Sequence, residues 1–332
     1  MMLFKTKPTL YIELLNSSIR YMAVHPSNHT IIEQDELLFD GHILEDGEIS
    51  DPALLETRLS ALIQEKKWKN AKVTMLVLNE FVTVREIEVP NQLDESEIQN
   101  YLALHMNESI RMPFENPSFE YIISGEDEEK GIKKLVLIAY PGNKIRKYQD
   151  ILQNISLKPD VADVASLSLY RVADKQSLIQ KGADQHTMIL QWSPTAVSYT
   201  VFNQERPIFK RHTQQAMLAQ SFERTAEGEW NWRGSDSELE IHLDEQLNNL
   251  GRFLDFYRYS VLEGDGSVSN IILTGSYPDL EGLRVRIAEA LNLDVQLLDL
   301  PADIPQSYSA LYGLTLRSNK KPNSDKKKGR KK

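Results

Sequence analysis

The chain has 332 residues, of which 41% are hydrophobic and 26% charged, the composition of an ordinary globular protein long enough for two domains. No run of 18 apolar residues is present and the first ten residues lack an apolar core, so we expect neither a transmembrane helix nor a signal peptide. Cysteine is absent, which excludes disulfides and cysteine-based metal or nucleophile chemistry. The seven histidines are scattered, so no metal site is expected.

The formal charge of −10 is divided unevenly along the chain. Residues 317–332 contain seven Lys, two Arg and one Asp and carry +8, so residues 1–316 carry −18. An acidic body argues against a broad nucleic-acid surface. Residues 318–332 contain no apolar side chain and are predicted to form a disordered basic tail. The tail has three interpretations: a solubilising end, a contact to anionic lipid, or a contact to another polyanion or an acidic protein.

The first elements predict a hairpin followed by a strand, a helix and another strand. Residues 9–22 form the hairpin, with its turn at Asn16-Ser17-Ser18. Strands at 29–35 and 73–78 flank a helix at 51–66, whose leucines recur at helical spacing. These elements predict a first domain around an inserted unit.

Residues 80–155 predict a β-α-β-β-α unit. Its first strand ends at Pro90, which brings no backbone N–H to a ladder. Asp94 and Glu97 are spaced as a capping box, and the helix that they open stops at Met112-Pro113-Phe114. Strands at 119–123 and 135–140 and a helix at 145–155 complete a compact α+β unit set inside a larger domain.

The elements after the α+β unit begin with a helix and continue as alternating strands and helices. A helix is predicted from Asp163 to about Gln180, and Asp163 is either its N-cap or a site residue. Trp230 and Trp232 alternate as strand residues do, which favours packing over partner contact. The remaining predicted elements are strands at 187–202 and 206–211, a helix at 238–259, a strand at 268–273, a helix at 283–291, a strand at 295–298 and a closing helix at 307–316.

The strand, the helix ending in Pro-Phe, the two strands and the last helix before Lys158-Pro159 resemble the inserted subdomain of the type IV pilus assembly protein PilM family, which is similar to the cell-division protein FtsA. The resemblance implies an α/β, actin-like (ribonuclease H-like) two-domain fold with an inserted small α+β subdomain. The implied units are residues 1–81 with 159–182, the insert at 82–158, and a second domain at 183–317.

In the actin-like ATPases three loops hold a nucleotide, and the resemblance places all three in this chain. The matching positions are Glu13, Asn16, Ser17, Ser18 and Arg20; Gln191, Ser193 and Thr195; and Gly275 and Ser276. Each loop has lost small or acidic residues, because Leu15 and Tyr277 replace glycines and Gln191 replaces an aspartate. Leu and Tyr crowd a close backbone approach, and neutral Gln is a poor anchor for Mg²⁺. We therefore expect a degenerate site without ATP hydrolysis, catalytic residues or a bound metal.

The resemblance implies a cytoplasmic scaffold, peripheral at the inner face of the cell membrane, that holds the cytoplasmic tail of a bitopic membrane protein similar to PilN. Other components of the pilus machinery are further implied partners. The insert and its junction with the first domain would supply a groove for strand addition. Arg85, Met112 and Phe114 are candidate contacts, and each could instead serve packing.

Two alternatives stay open at this stage. One is a working ATP-binding protein that holds Mg-ATP around Ser17, Ser18, Thr195 and Gly275. The other is a membrane-surface adaptor that acts through the polybasic tail.

Overall fold

The computed structural model describes residues 6–106, 109–182, 184–215, 220–225 and 228–317. The basic tail predicted at residues 318–332 lies outside the described residues. Two five-stranded sheets dominate the described part of the chain, and a three-stranded sheet belongs to the insert. No helix in the described part is both long enough and apolar enough to cross a membrane.

The first sheet has the strand order β10-β6-β1-β2-β3. Its strands are β1 (Thr9–Leu15), β2 (Ser18–Val24), β3 (Ile31–Leu38), β6 (Lys72–Val77) and β10 (Lys158–Val164). The short pair β4 (Leu44–Glu45) and β5 (Glu48–Ile49) leads into helix α1 (Pro52–Glu65). The Asp51 side chain accepts a hydrogen bond of 2.9 Å from the Leu54 N–H and so caps α1. Leucine and isoleucine side chains of α1 pack against one face of the sheet.

Strand β2 is buried at every position because both faces of the sheet are covered. Ile19 and Tyr21 point into the core shared with α1, whereas Met22 and Val24 belong to a second core on the opposite face. This alternation follows from the two-residue period of a strand. The first sheet is therefore a central layer, and its second face is available to the other domain.

The second sheet has the order β13-β12-β11-β16-β17, the same arrangement as the first. Its strands are β11 (His186–Trp192), β12 (Ala196–Asn203), β13 (Arg206–Gln214), β16 (Val268–Gly275) and β17 (Asp294–Leu297), flanked by helices α5 (Asp236–Phe256) and α6 (Leu280–Leu291). In both sheets a hairpin pairs antiparallel with a third strand on one side, and the first strand pairs parallel with a later strand on the other side.

The insert is a three-stranded antiparallel sheet of order β7-β9-β8 with one helix on its face. Its elements are β7 (Thr83–Pro90), α2 (Glu95–His105), β8 (Pro117–Asp127), β9 (Ile132–Pro141) and α3 (Gly142–Asn154). The predicted capping box is confirmed, since Asp94 accepts from the Glu97 N–H and Glu97 accepts from the Asp94 N–H. Ile98 and Leu102 of α2 are fully buried against the sheet, while α3 packs back into the core of the first domain.

Helices α4 (Ala165–Lys175) and α7 (Ser309–Thr315) lie together between the two large sheets. Leu169 of α4 and Leu311 of α7 are fully buried in a core that also holds Met22 of the first sheet and Ile272 of the second. A short strand pair, β14 (Phe222–Arg224) and β15 (Trp230–Trp232), extends from the second domain. Trp230 and Trp232 pack against the core of that domain, as predicted.

Three local predictions are wrong. Asp163 does not open a helix: it lies in β10, and α4 begins at Ala165 without a side-chain cap. Helix α4 also ends at Lys175 instead of about Gln180, because Ser177 adopts a left-handed φ of 59°. Helix α2 ends at His105, before the predicted stop at residues 112–114, because Met106 takes extended backbone and packs into the core of the insert.

Candidate functional site

The turn of the first hairpin is held by backbone contacts to the segment that follows β3. The carbonyl oxygen of Asn16 accepts 2.7 Å from the Ile43 N–H, and that of Ser17 accepts 2.9 Å from the Phe39 N–H. Asn16 is exposed and Ser17 half-buried, but Ser18 is fully buried at the start of β2. The hydroxyl of Ser18 therefore needs partners inside the protein.

Those partners form a charged cluster around the Glu36 carboxylate. Glu36 accepts from the Ser18 hydroxyl, from Arg20 Nε at 3.1 Å and from Arg224 Nη2 at 2.7 Å. Arg224 Nη1 also donates to Ser18 Oγ at 3.0 Å. Burial disfavours the charged form of Glu36, but the hydrogen bond from Arg224 and the charge of Arg20 outweigh it and lower its pKa below the ordinary value. Arg224 belongs to β14, so the cluster spans both domains.

Glu13 lies on the other side of Arg20 in the same row of the sheet, since Arg20 pairs with Glu13 on β1 and with Glu36 on β3. Glu13 Oε2 is buried without a hydrogen bond and lies 3.8 Å from Arg20 Nη1. Burial is the main cause that raises the pKa of Glu13 to about 7; the charge of Arg20 opposes it and that of Glu36 adds to it. At neutral pH, Glu13 is accordingly a partly protonated carboxyl.

The second hairpin is closed by its own hydrogen bonds and by a contact from the first domain. Ser193 Oγ accepts from the Ala196 N–H at 3.0 Å and lies 3.2 Å from Thr195 Oγ1. Gln191 Oε1 accepts 2.8 Å from Asn79 Nδ2, which belongs to the link between β6 and the insert. The side chain that stands at the predicted metal-anchoring position is thus bound to an amide of the other domain.

The third loop folds against the end of β11. Ser276 and Tyr277 both donate their N–H to the carbonyl of Trp192, at 3.1 and 3.2 Å. Gly275 has a φ of +132°, and a Cβ there would come within 2.1 Å of the same oxygen, so only glycine fits. The Tyr277 ring is buried and packs edge-on against Phe222 at a centroid distance of 6.1 Å.

These three loops do not fit a magnesium–nucleotide complex. At the first hairpin, the Glu36 carboxylate accepts hydrogen bonds from Ser18, Arg20 and Arg224. At the second, neutral Gln191 is bound to Asn79. At the third, the Trp192 carbonyl holds the loop and the Tyr277 ring fills the core of the domain. Sequence analysis had not singled out two members of the cluster that joins the first loop to the second domain, Glu36 and Arg224.

A groove of about 1130 Å³ lies at the junction of the insert with the first domain. One wall is the insert sheet, with β8 residues 118–122 and β9 residues 138–140. The opposite wall is β10 residues 160–164 with helix α4. Strands β8 and β10 each occupy an edge of their sheet. Two edge strands therefore line the groove, and an edge strand can bind an extended peptide through main-chain hydrogen bonds.

The charges of the groove are arranged around Asp163. Its buried carboxylate accepts 2.7 Å from Arg171 Nη2 and 2.9 Å from Arg317 Nη1. This double pairing explains why Asp163 is not free to cap a helix, and it joins α4 to the end of the described chain. Glu120 and Glu205 are exposed carboxylates on the groove lining. The groove thus combines apolar strand residues with a fixed, hydrogen-bonded carboxylate.

The three predicted partner residues lie away from this groove. Arg85 is on β7, at the far edge of the insert sheet from β8, and donates to the Arg111 carbonyl. Met112 packs against the core of the insert, and Phe114 is half-buried. Their role in partner binding stays a prediction. The sequence predicted a groove at this junction but not strand β10 that forms one wall, because Asp163 was predicted to start a helix. The alternating residues 158–164 were the signal for a strand.

Two similar mixed sheets, helices packed between them and an α+β insert define a protein with a two-domain actin-like fold, as predicted. A solved PilM–PilN type IV pilus biogenesis complex matches with a TM-score of 0.73 and 16% identity, covering 94% of this chain and 98% of that one. The cytoplasmic domain of EpsL, an inner-membrane component of the type II secretion system of Vibrio cholerae, matches with a TM-score of 0.49 and 10% identity, covering 94% and 96%. MreB5 of Spiroplasma citri bound to ADP matches with a TM-score of 0.48 and 9% identity, covering 94% of this chain and 96% of that one.

The sequence itself gives the family. Residues 17–310 match the family described as type IV pilus assembly protein PilM, so the chain belongs to that family. No curated protein matches the sequence.

Proposed function

We propose that this chain is a scaffold of a type IV pilus-type assembly machine that acts at the cytoplasmic face of the membrane and works without ATP hydrolysis. Its partner would be the cytoplasmic segment of a membrane protein similar to PilN, the protein found with the structural relative in its complex. The observation that carries the proposal is the groove between β8 and β10, two edge strands that face the same space.

The chemistry of the groove suits an extended segment with alternating side chains. An edge strand offers unpaired N–H and C=O groups along one side. The main chain of a peptide can therefore bind there whatever the sequence of the peptide. Apolar groove residues such as Ile122 and Val161 are half-buried and would accept alternate side chains of that peptide. Specificity would then come from the side-chain pockets, and orientation from the main-chain hydrogen bonds.

Nucleotide independence rests on the three loops. In each loop a group of the chain itself binds a residue at a matching position: Glu36 binds Ser18, Asn79 binds Gln191, and the Trp192 carbonyl binds Ser276. A scaffold that keeps the actin-like fold needs the packing of these loops but not their former chemistry.

The direct test is to titrate a labelled peptide with the N-terminal cytoplasmic sequence of the PilN-like partner into the full chain, with and without Mg-ATP. We expect saturable binding with the same dissociation constant in both conditions. A scrambled peptide of equal composition is the control. Binding that requires Mg-ATP would contradict nucleotide independence, and equal binding of the scrambled peptide would contradict the groove.

Calorimetry with Mg-ATP separates the proposal from the alternative of a working ATP-binding protein. We expect no saturable heat at millimolar nucleotide. A ligand at 1,000 times its dissociation constant would stabilise the fold by about 4 kcal/mol, so a large rise in melting temperature would overturn this expectation. The adaptor alternative depends on residues 318–332: deletion of this tail should leave peptide binding unchanged and affect only binding to anionic vesicles.

A further inference from the structure

We propose that Ser18, Arg20 and Arg224 form an oxyanion site that Glu36 fills as an internal ligand, and that this contact locks the two domains together. The proposal goes beyond the scaffold role and does not depend on the peptide groove. Two guanidiniums and a hydroxyl that converge on one point are the donor set that binds carboxylate or phosphate. In this chain the carboxylate of Glu36 occupies that point.

Arg224 is held in position before it meets Glu36. Its Nε and Nη2 both donate to the Gly228 carbonyl, at 3.2 and 3.0 Å, and its guanidinium lies 5.2 Å from the centroid of the Trp230 ring. Gly228 has a φ of +84°, a left-handed conformation that favours glycine. Phe222, two residues before Arg224, packs edge-on against Trp232 and anchors the strand pair in the second domain.

Arg20 of the first domain is also held in position, by two residues of the second domain. Its Nη1 donates 2.9 Å to the carbonyl of Ser307, and its guanidinium lies 5.6 Å from the centroid of the Tyr308 ring. Arg20 and Glu36 are directly opposite each other on β2 and β3. The side chains of Arg20, Glu36 and Arg224 are each less than 15% exposed, so little solvent screens their contacts.

The cluster has more positive charge than its principal acceptor can balance. Arg20 and Arg224 share the carboxylate of Glu36, while Glu13 Oε2 lies 3.8 Å from Arg20 Nη1 and has no hydrogen bond. Removal of the Glu36 carboxylate would leave two preorganised, poorly hydrated guanidiniums facing each other. An oxyanion of similar size, such as inorganic phosphate, would then restore their partners.

The functional consequence is that the cleft between the two domains is held closed without a bound ligand. Ser18 and Glu36 belong to the first domain and Arg224 to the second, so their contacts join the domains beside the first hairpin. The anion bound at this hairpin is the Glu36 carboxylate of the chain itself. Neutralising Glu36 should therefore loosen one domain relative to the other while each keeps its own core.

The first experiment compares melting temperatures of the wild type, Glu36→Ala and Glu36→Ala/Arg224→Ala in chloride and in inorganic phosphate at equal ionic strength. Breaking a buried charge pair should lower the melting temperature of Glu36→Ala by roughly 5–10 °C. About 10 mM phosphate should raise the melting temperature of Glu36→Ala again by several degrees. Glu281→Ala, which frees a surface arginine, measures the nonspecific effect of phosphate. The melting temperatures of the wild type and the double variant should rise no more than that of Glu281→Ala. An equal phosphate response in wild type and Glu36→Ala would overturn the oxyanion site.

A second experiment keeps the lock testable if Glu36→Ala does not fold, and it uses the isosteric Glu36→Gln. Because the chain has no cysteine, Asp40→Cys and Glu229→Cys can carry spin labels, one in each domain. We expect a single narrow distance distribution in the wild type and a broader or longer one in Glu36→Gln and in Arg224→Ala. Unchanged distributions in both variants would overturn the lock. The peptide titration on the same proteins should be unaffected, so failure of the lock and failure of the scaffold role are distinguishable.

Discussion

Gly313 of α7 lies against the backbone of Ser168 on α4, so close that a Cβ on Gly313 would come within 2.1 Å of the Ser168 carbonyl oxygen. In addition, the Ser168 hydroxyl donates to the carbonyl of Ala310, which fixes the two helices side by side between the sheets. The contact between the domains therefore depends on the absence of a side chain at one position.

This contact reverses the usual effect of replacing a helical glycine. Gly→Ala in a helix interior normally stabilises by about 1 kcal/mol. For Gly313→Ala we expect the opposite, a loss of roughly 2–3 kcal/mol, because α7 must move away from α4. Gly251→Ala in α5 is the matched control: the nearest atom to its new Cβ, on Leu291, is 3.9 Å away, so this variant should gain stability. Urea unfolding measures both, and equal signs would contradict the close approach.

The amide pair of Asn79 and Gln191 should contribute a measurable coupling energy between the domains. Its hydrogen bond is 2.8 Å long and links the base of the insert to β11. A double-mutant cycle with Asn79→Ala and Gln191→Ala should give about 0.5–1.5 kcal/mol in urea unfolding. The same cycle on Asn154 and Glu56, an exposed pair at 2.8 Å, should give less. A coupling near zero for Asn79 and Gln191 would show that the contact does not hold the domains together.

Glu13 should make the protein less stable as the pH rises towards neutrality. Its folded-state pKa is raised to about 7, chiefly by burial, above the ordinary value of 4.5. The folded state therefore binds the extra proton between pH 4.5 and 7; its stabilisation is complete below 4.5 and is lost as the pH rises through 7. This contribution to the free energy of unfolding is of the order of 3 kcal/mol. Glu13→Gln should flatten the stability profile in this window, and an unchanged slope would contradict the buried carboxyl.

His212 should produce the opposite trend. Its Nδ1 lies 2.6 Å from Ser198 Oγ, and burial, followed by the charge of Lys210, lowers its pKa from 6.5 to about 4. The stability that depends on the neutral ring is present above pH 6.5 and is lost as the pH falls to 4. His212→Asn should remove this acid sensitivity. Unfolding of Glu13→Gln and His212→Asn between pH 4 and 7 separates the two contributions, because their slopes have opposite signs.

Features that depend on local chemistry were predicted correctly from the sequence, but the long-range contacts were not. The two hairpins, the capping box at Asp94 and the packing of Trp230 follow from turn residues, cap spacing and strand alternation. Arg224 and Ser18 are 206 residues apart in the chain, and no periodic pattern relates them. Asp163 and Arg317 are 154 residues apart, and their pairing overrides the strong local preference of Asp for a helix N-cap. What could not be predicted is thus the identity of the groups that join the domains.

The groove between β8 and β10 yields the sharpest prediction about function. Ala162 is exposed on the wall formed by β10, where a long charged side chain would occupy the space of a bound strand. Ala162→Arg should weaken binding of the PilN-like peptide at least tenfold, a loss of about 1.4 kcal/mol, without lowering the melting temperature. Leu104→Arg is the matched control, since Leu104 is 72% exposed on α2 and does not line the groove. Because both variants add the same charge, a general electrostatic effect would weaken binding equally in the two. If the new side chain blocks the groove sterically, only Ala162→Arg should weaken binding of the peptide.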